Sequence, residues 1–291
     1  MDSERCHILL TVLETGSLSA AAAQLGYTPS GVSRVIAAME SEAGLPLLIR
    51  TRDGVRATPE CVQLLPSIRE MQYWGSYYTE QTRRLRGIET GTVRVGSVYT
   101  VFYPWMAELM AGFSELHPGI EIKTIEGTSS EMCSAVEERK GDFCIVSRRE
   151  GNFRFVPLLK DEAVVMLSTS HPRAKDREIP LKAFEEEPVI ELYPNKETDT
   201  SRIYEQYHIK PNVRFSTMDL HAGYAMAEAG LGICIENKVT TDRLTNRLVI
   251  LPLKPRVFID VGIVIPEKKA ISPAAAAFAE YALQRKPEWL S

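Results

Sequence analysis

The sequence predicts a helix-dominated N-terminal region that runs on into one long helix, followed by an α/β region of two doubly wound lobes. Three observations predict it. Apolar residues recur at helical spacing in three runs before residue 44, each closed by a glycine. A seam with alternating spacings of four and three then extends from residue 64 to 85. From residue 92 short apolar strands alternate with helical patterns, as in parallel strands joined by crossover helices.

Composition narrows the class. A length of 291 residues suggests about two domains, and 44% hydrophobic with 25% charged residues sets aside disordered and fibrous proteins. No apolar run approaches the ~18 residues of a membrane-spanning helix, and the first six residues lack a basic segment leading into an apolar core. A cytoplasmic protein with no membrane partner is expected. Cys6, Cys61, Cys133, Cys144 and Cys234 are odd in number and never spaced C-x-x-C, which indicates neither a disulfide framework nor a zinc site. Most are expected to be small core residues, and no metal or cofactor is expected.

The net charge of -4 argues, as an average, against a chain that coats nucleic acid nonspecifically. Split at residue 87, the average changes meaning. Nine arginines face nine acids before that point, so the whole excess of negative charge lies after it. Every cation before Lys123 is an arginine, whose planar fork suits bidentate contacts to phosphates and base edges.

The N-terminal elements follow in order. Ile8, Leu9, Val12 and Leu13 form the apolar face of a first helix that stops at Gly16. Ser17 caps a second, 18–25, whose alanines at 20–23 let a neighbouring helix pass close, and Gly26 closes it. Thr28 and Pro29 read as cap and first residue of a third helix, with Val32, Val35, Ile36 and Met39 on one face, running to about residue 43. After Gly44 and Pro46 come a strand at 47–49, Asp53-Gly54 as a hairpin turn, and a return strand at 55–58.

That order is a winged helix-turn-helix. In such a unit the second helix of the pair enters the major groove by its N-terminal residues. Thr28, Pro29, Ser30, Gly31, Ser33 and Arg34 are therefore expected to face double-stranded DNA, with Ser17 at the start of the preceding helix as a further contact. Arg50, Arg52 and Arg56 flank the hairpin, where they can neutralise phosphates or reach into the minor groove. Singly, each Ser or Thr is as well explained as a helix cap and each arginine as solvated surface; the ordered set carries the reading.

This segment resembles the N-terminal domain of the LysR-type transcriptional regulators. The likeness rests on Gly16-Ser17-Leu18 followed by Ala21-Ala22, on Thr28-Pro29-Ser30 through Ser33-Arg34, and on Met39-Glu40, Gly44, Leu45, Leu47-Leu48, Arg50 and Leu64. It extends over the length of the chain. Ile49 stands where the family has an aromatic residue, and Cys61 where it has a glycine. The resemblance implies a bacterial, sequence-specific DNA-binding regulator controlled by a small-molecule effector. It also implies assembly as a homodimer or homotetramer, and RNA polymerase as a further partner.

Thr58-Pro59-Glu60 reads as cap, first residue and first-turn acid of a long linker helix ending near Arg86, before Gly87. Leu64, Ile68, Met71, Gly75, Tyr78, Thr82 and Leu85 make an imperfect heptad seam, which favours pairing between subunits over packing on the chain's own core. Pro66 is expected to bend the helix near its start. By resemblance, this helix dimerises and presents two recognition helices to a two-fold related site.

In the α/β region, strands are expected at 93–96, 120–125 and 143–146, with helices at 103–116 and 130–139. A second series begins with a strand at 164–167 and continues through 189–192, a helix at 201–207, a strand at 213–215, a helix at 219–229, and strands at 232–235 and 258–265. A last helix at 273–283 returns to the first lobe. Crossings near 160–162 and 266–268 give the organisation 1–58, 59–88, 89–161 with 266–291, and 162–265. Gly96-Ser97, Gly141-Asp142 and Ala229-Gly230-Leu231-Gly232-Ile233 are similar to the family's effector domain, whose fold is periplasmic-binding-protein-like. Glu236 replaces the proline usual after the last motif and so reshapes the cleft wall beside it.

Ligands collect at strand C-termini in open α/β sheets. Ser97, Tyr99 and Thr100 at the first strand-to-helix turn, and Thr128, Ser129 and Ser130 at the second, are the expected effector residues of the first lobe. Hydroxyls beside free helix N-terminal amides suit a carboxylate or other anion. Tyr193, Thr217, Met218 and Arg202 are added from the second lobe. The expected function is thus an effector-controlled transcriptional regulator with no catalytic residues. The alternative is a small-molecule-binding protein or enzyme that uses its N-terminal region only to dimerise. Five scattered histidines without metal-ligand spacing, and no Gly-x-Ser-x-Gly elbow or phosphate loop, give that alternative little chemistry.

Overall fold

The first three helices each begin on a capping side chain and end on a glycine in left-handed backbone. Asp2 accepts from the Arg5 amide ahead of α1 (Ser3–Thr15), Ser17 from Ala20 ahead of α2 (Leu18–Leu25), and Thr28 from Gly31 ahead of α3 (Pro29–Ala43). Gly16, Gly26 and Gly44 close them at φ 64°, 72° and 72°. The computed structural model describes residues 1–51, 54–86, 89–241, 247–267, 271–287 and 289. Arg52 and Asp53 of the expected hairpin, Gly87, and Lys268 of the expected crossing lie outside the described residues. The chain divides into two units, Met1–Gly91 with Ser272–Ala274, and Thr92–Ile271 with Ala275–Ser291.

In the first unit α3 is followed by the hairpin of β1 (Leu48–Thr51) and β2 (Gly54–Ala57), then by α4 (Pro59–Leu85). Leu9, Val12, Ala22, Val32, Ile36 and Met39 are buried in one core with Leu47, Cys61 and Ile68. Each large aliphatic side chain so buried contributes on the order of 1.5–3 kcal/mol. The hairpin is fixed at both ends. Glu40 accepts from the amides of Leu47 and Leu48 at 2.8 and 3.2 Å, and the Val55 amide donates to the Gly16 carbonyl at 2.8 Å. α4 runs unbroken through Pro66. Its N-terminal part packs on the chain's own core through Cys61, Leu64 and Ile68, while Met71, Tyr78 and Leu85 of the same seam are exposed.

The second unit is built on one mixed sheet. β3 (Gly91–Ser97), α5 (Tyr103–Leu116), β4 (Ile120–Thr124), α6 (Ser129–Glu137) and β5 (Phe143–Ser147) form its first part. β6 (Phe153–Ser168) leads to β7 (Ile179–Pro180), α7 (Ala183–Glu186), β8 (Val189–Leu192), α8 (Asp199–Gln206), β9 (Val213–Thr217), α9 (Leu220–Glu228), β10 (Cys234–Asn237) and α10 (Lys238–Thr241). β11 (Leu248–Pro266) and α11 (Pro273–Leu283) follow. Among the described residues the sheet order is β10-β6-β11-β5-β3-β4, with β7 on β11 and β8-β9 as a separate pair. Phe113 of α5 and Phe143 of β5 stack edge-on against Phe278 of α11, centroids 5.1 and 5.3 Å apart, which returns the last helix to the first part of the sheet.

Two expectations change here. The sheet is not purely parallel: β3/β5 and β8/β9 are parallel, whereas β6, β10 and β11 pair antiparallel. β6 and β11 are far longer than the strands expected at 164–167 and 258–265, because each strand's partner supplies hydrogen bonds across stretches that break the local pattern. Pro157 lies opposite Gly262, and Lys160-Asp161-Glu162 opposite Asp260-Ile259-Phe258. β6 remains the partner of β11 on both sides of the irregularity between Pro252 and Val257. Val261–Val264 also pair with Ser147–Cys144 of β5.

Gly54 has φ 125°, and a Cβ there would lie 2.8 Å from the Gly16 carbonyl oxygen. Gly54→Val is therefore expected to destabilise the first unit by about 1–3 kcal/mol, combining backbone strain with a forced shift of the hairpin. A lowered urea midpoint of the full chain, with DNA affinity falling in step, checks it.

Candidate functional site

The N-terminus of α3 stands clear of the core. Thr28, Pro29, Ser30 and Arg34 are exposed, Gly31 and Ser33 partly so, and the opposite face carries buried Val32, Ile36 and Met39. Thr28 accepts from the Gly31 amide at 3.1 Å and lies 3.2 Å from the Ser30 hydroxyl, so its own hydroxyl is engaged as a cap. Ser17 is likewise engaged, accepting from Ala20 at 3.3 Å. Arg50 donates to the Ser33 hydroxyl at 3.2 Å and so draws its guanidinium to the exposed face of α3; Arg56 is exposed on β2 opposite Ile49. Ile49, the aliphatic substitute for an aromatic residue, is itself exposed.

In the second unit the C-terminal end of β3 and the N-termini of α6 and α8 meet around a cavity of about 390 Å³, closed on its other side by the ends of β8 and β10 and by Met218 and Leu220. Its strongest polar feature is a carboxylate. Asp199, the first residue of α8, accepts from the Tyr99 hydroxyl at 3.0 Å, the Ser147 hydroxyl at 2.5 Å and the Arg149 guanidinium at 3.0 Å. Arg149 is held in turn on the Ser130 hydroxyl at 2.8 Å and keeps only 6% of its side chain exposed. Burying a guanidinium and a carboxylate together satisfies both at the cost of removing two charges from water. Burial beside the Asp199 charge holds the Tyr99 phenol well above its usual range, so it stays a donor.

The sequence-predicted residues divide accordingly. Ser97, Tyr99, Thr128, Ser129, Tyr193 and Met218 line the cavity. Ser97 and Thr128 are spent on local bonds, Ser97 with both backbone groups of Tyr99 and Thr128 as the cap of α6 within a reciprocal pair with Glu131. Ser129 accepts from the Ser147 amide at 3.0 Å. Thr100, Ser130, Thr217 and Arg202 are not on the wall: Thr100 turns into the short helix after β3, Ser130 supports Arg149, Thr217 accepts from Asp219, and Arg202 binds Glu197 at the surface. Sequence reasoning passed over Asp199, Arg149 and Ser147, whose meeting spans 52 and 50 residues of chain. The Thr198-Asp199 start of a helix was the one local signal for Asp199.

Glu236 lines the cavity where the resemblance marked a replaced proline. It accepts from the Tyr224 hydroxyl at 3.2 Å and from the Asn237 amide at 2.8 Å, and burial pushes its carboxyl up to about 7 in spite of those bonds. An acid raised from 4.5 to about 7 binds its proton more tightly in the folded state. Native stability then falls as pH rises from 4.5 towards 7, and the loss is complete above 7. Glu236→Gln is accordingly expected to stabilise the ligand-free protein at pH 8 by about 1–2 kcal/mol, a gain that vanishes below pH 5, as read by thermal melts across pH.

Among the described residues no helix is long and apolar enough to cross a membrane, and no group of three or more His, Cys, Asp or Glu side chains is placed to hold a metal ion. Residues 3–62 match the family described as bacterial regulatory helix-turn-helix protein, lysR family, and residues 86–287 match the LysR substrate binding domain. The regulator YvbU of Bacillus subtilis (strain 168), described as an uncharacterized HTH-type transcriptional regulator, is 28% identical over 94% of this chain and 95% of its own. A full-length OxyR of Pseudomonas aeruginosa superposes with a TM-score of 0.72 at 16% identity, covering 99% of both chains. Full-length CbnR complexed with its target DNA does so at 0.59 and 16% identity, covering 98% of this chain and 99% of that one. These two share the fold. With a helix-turn-helix in one unit, a cavity in the other, and both family domains matched in order, the chain belongs to the LysR family of DNA-binding transcriptional regulators.

Proposed function

We propose that this regulator reads DNA with the N-terminus of α3 and the wing, and reads a small molecule with the cavity of its second unit. Ser30, Gly31, Ser33 and Arg34 contact base edges in the major groove, while Arg50, Arg52 and Arg56 neutralise phosphates or reach into the minor groove. Thr28 and Ser17 act chiefly by fixing helix starts, since their hydroxyls are already bonded. The exposed Met71, Tyr78 and Leu85 of α4 pair with a second copy of the chain, which matches two recognition helices to a two-fold related operator. The protein works in the cytoplasm, with RNA polymerase as its partner at the promoter.

One observation supports the effector role most strongly: the cavity wall is shared, and Asp199 from one part of the unit is held by Tyr99, Ser147 and Arg149 from the other. A ligand entering there meets both parts at once. It shifts the population between two arrangements of the assembly only to the extent that it binds them unequally.

The low charge of the DNA-binding unit makes affinity depend on a few geometric contacts. Arg34→Ala is expected to cost about 1–3 kcal/mol at the operator and to relax specificity, whereas Arg56→Ala should weaken operator and random DNA alike and reduce the salt slope by about one. Fluorescence anisotropy on upstream DNA across salt concentrations checks both. Loss of neither affinity nor specificity in Arg34→Ala would remove α3 as the reading element.

A further inference from the structure

The groups that could hold a ligand carboxylate in this cavity are already occupied. Arg149, Tyr99 and Ser147 are engaged by Asp199. Lys196, the cation on the wall, is held by both oxygens of Glu131 at 2.8 and 3.1 Å. The α6 N-terminus is closed by the reciprocal Thr128–Glu131 bonds. Two carboxylates on the wall have the opposite standing. Glu236 and Glu126 meet no cation among the described residues, and the Glu236 oxygens are met only by neutral donors. Burial raises the Tyr193 phenol, and the nearby Glu236 and Glu126 carboxylates act in the same direction. The wall also carries Tyr103, Tyr193, Leu192 and Met218 among threonines and Asn237, and Tyr103 and Met218 are 50% and 53% exposed.

We propose that the cavity takes an organic cation, a ligand whose protonated amine is held by the Glu236 carboxylate, with Glu126 as a second acid on the same wall, and whose carbon skeleton lies against Tyr103, Tyr193, Leu192 and Met218. An ammonium leaving water needs a carboxylate partner, and a carboxylate already removed from water gains most from it. Tyrosine faces add cation–π attraction. The assignment rests on the cavity being the effector site, and it replaces the anion expected from the hydroxyl-rich turns, because the protein's own Asp199 occupies that seat.

Binding is also linked to protons. The arriving ammonium favours the ionised carboxylate, so Glu236 releases a proton near neutrality and affinity weakens as pH falls below about 7. Around Glu236, Tyr193, Tyr224 and Cys234 are all raised away from that window, Asp199 is paired with Arg149, and Lys238 faces Glu162. His221 lies edge-on to Tyr224 at 6.2 Å, and His221→Asn is the control that separates it from Glu236.

The test uses the full-length protein with three matched probes, 2-phenylethylamine, 2-phenylethanol and phenylacetate, followed by thermal shift and calorimetry at pH 7.5. The amine is expected to raise the melting temperature and to bind at least about tenfold more tightly than the alcohol, with no shift from phenylacetate. Glu236→Gln, which should be no less stable than the parent without ligand, is expected to lose at least about tenfold in amine affinity and the pH dependence with it, corresponding to one factor of ten per 1.4 kcal/mol. Tighter binding of phenylacetate, an unchanged amine affinity in Glu236→Gln, or no response to any probe overturns the proposal. Met218→Trp separates the two levels. If phenylacetate binds and this substitution blocks it, the cavity stands as the effector site and only the cationic class falls; if a bound probe ignores both substitutions, the site itself falls.

Discussion

Strands β6 and β11 hydrogen-bond to each other from Phe153–Pro266 at one end to Ser168–Leu248 at the other, and the α/β unit is organised on that ladder. β5 joins β11 on one side and β10 joins β6 on the other, so loops leaving both parts of the sheet reach one cavity. The ladder has a one-residue shift between Val261 and Gly262, and its larger interruption where residues 253–256 have no partner on β6. There Asp161 accepts from the Val239 amide and Glu162 binds Arg256 at 2.9 Å, so the buried carboxylates at the interruption are satisfied. Continuous backbone hydrogen bonding makes each part of the sheet stiff and concentrates any relative motion at the gap.

The cavity inherits its chemistry from that placement. Asp199 lies at the start of α8, and its charge is stabilised by three donors from the far side: a phenol, a hydroxyl and a guanidinium. With those donors engaged and Lys196 held by Glu131, the charged groups on the wall without an ion-pair partner among the described residues are the carboxylates of Glu126 and Glu236. Of the two turns that suggest an anion site on chemical grounds, the one at Thr128 is closed by its own cap with Glu131, and Thr198 with Ser201 closes the start of α8 in the same way. A cap and an anion compete for the same amides, and the covalently tethered cap has the higher effective concentration.

The N-terminal unit was legible almost residue by residue. Its helix limits are set by side-chain caps and left-handed glycines acting within four residues, and its apolar face follows the helical period, so α2 and α3 fall where the pattern puts them. The charge balance was legible too, being a sum over the chain, and Glu126, Asp199 and Glu236 of the cavity wall are among the acids after residue 87. Less legible was the long helix, whose seam is split between a part buried on its own core and a part left exposed, a distinction the heptad pattern does not carry.

The sequence by itself determined the helix-turn-helix, the wing, the α/β alternation and the family, because caps, turn residues and apolar periodicity are local and recur in a fixed order. The tertiary structure decided the mixed sheet, the full length of β6 and β11, and the meeting of Asp199 with Ser147 and Arg149. A strand containing proline and charge persists only when neighbouring strands bond to it, and a buried ion pair between residues 50 apart forms only once the sheet has brought its strand ends together.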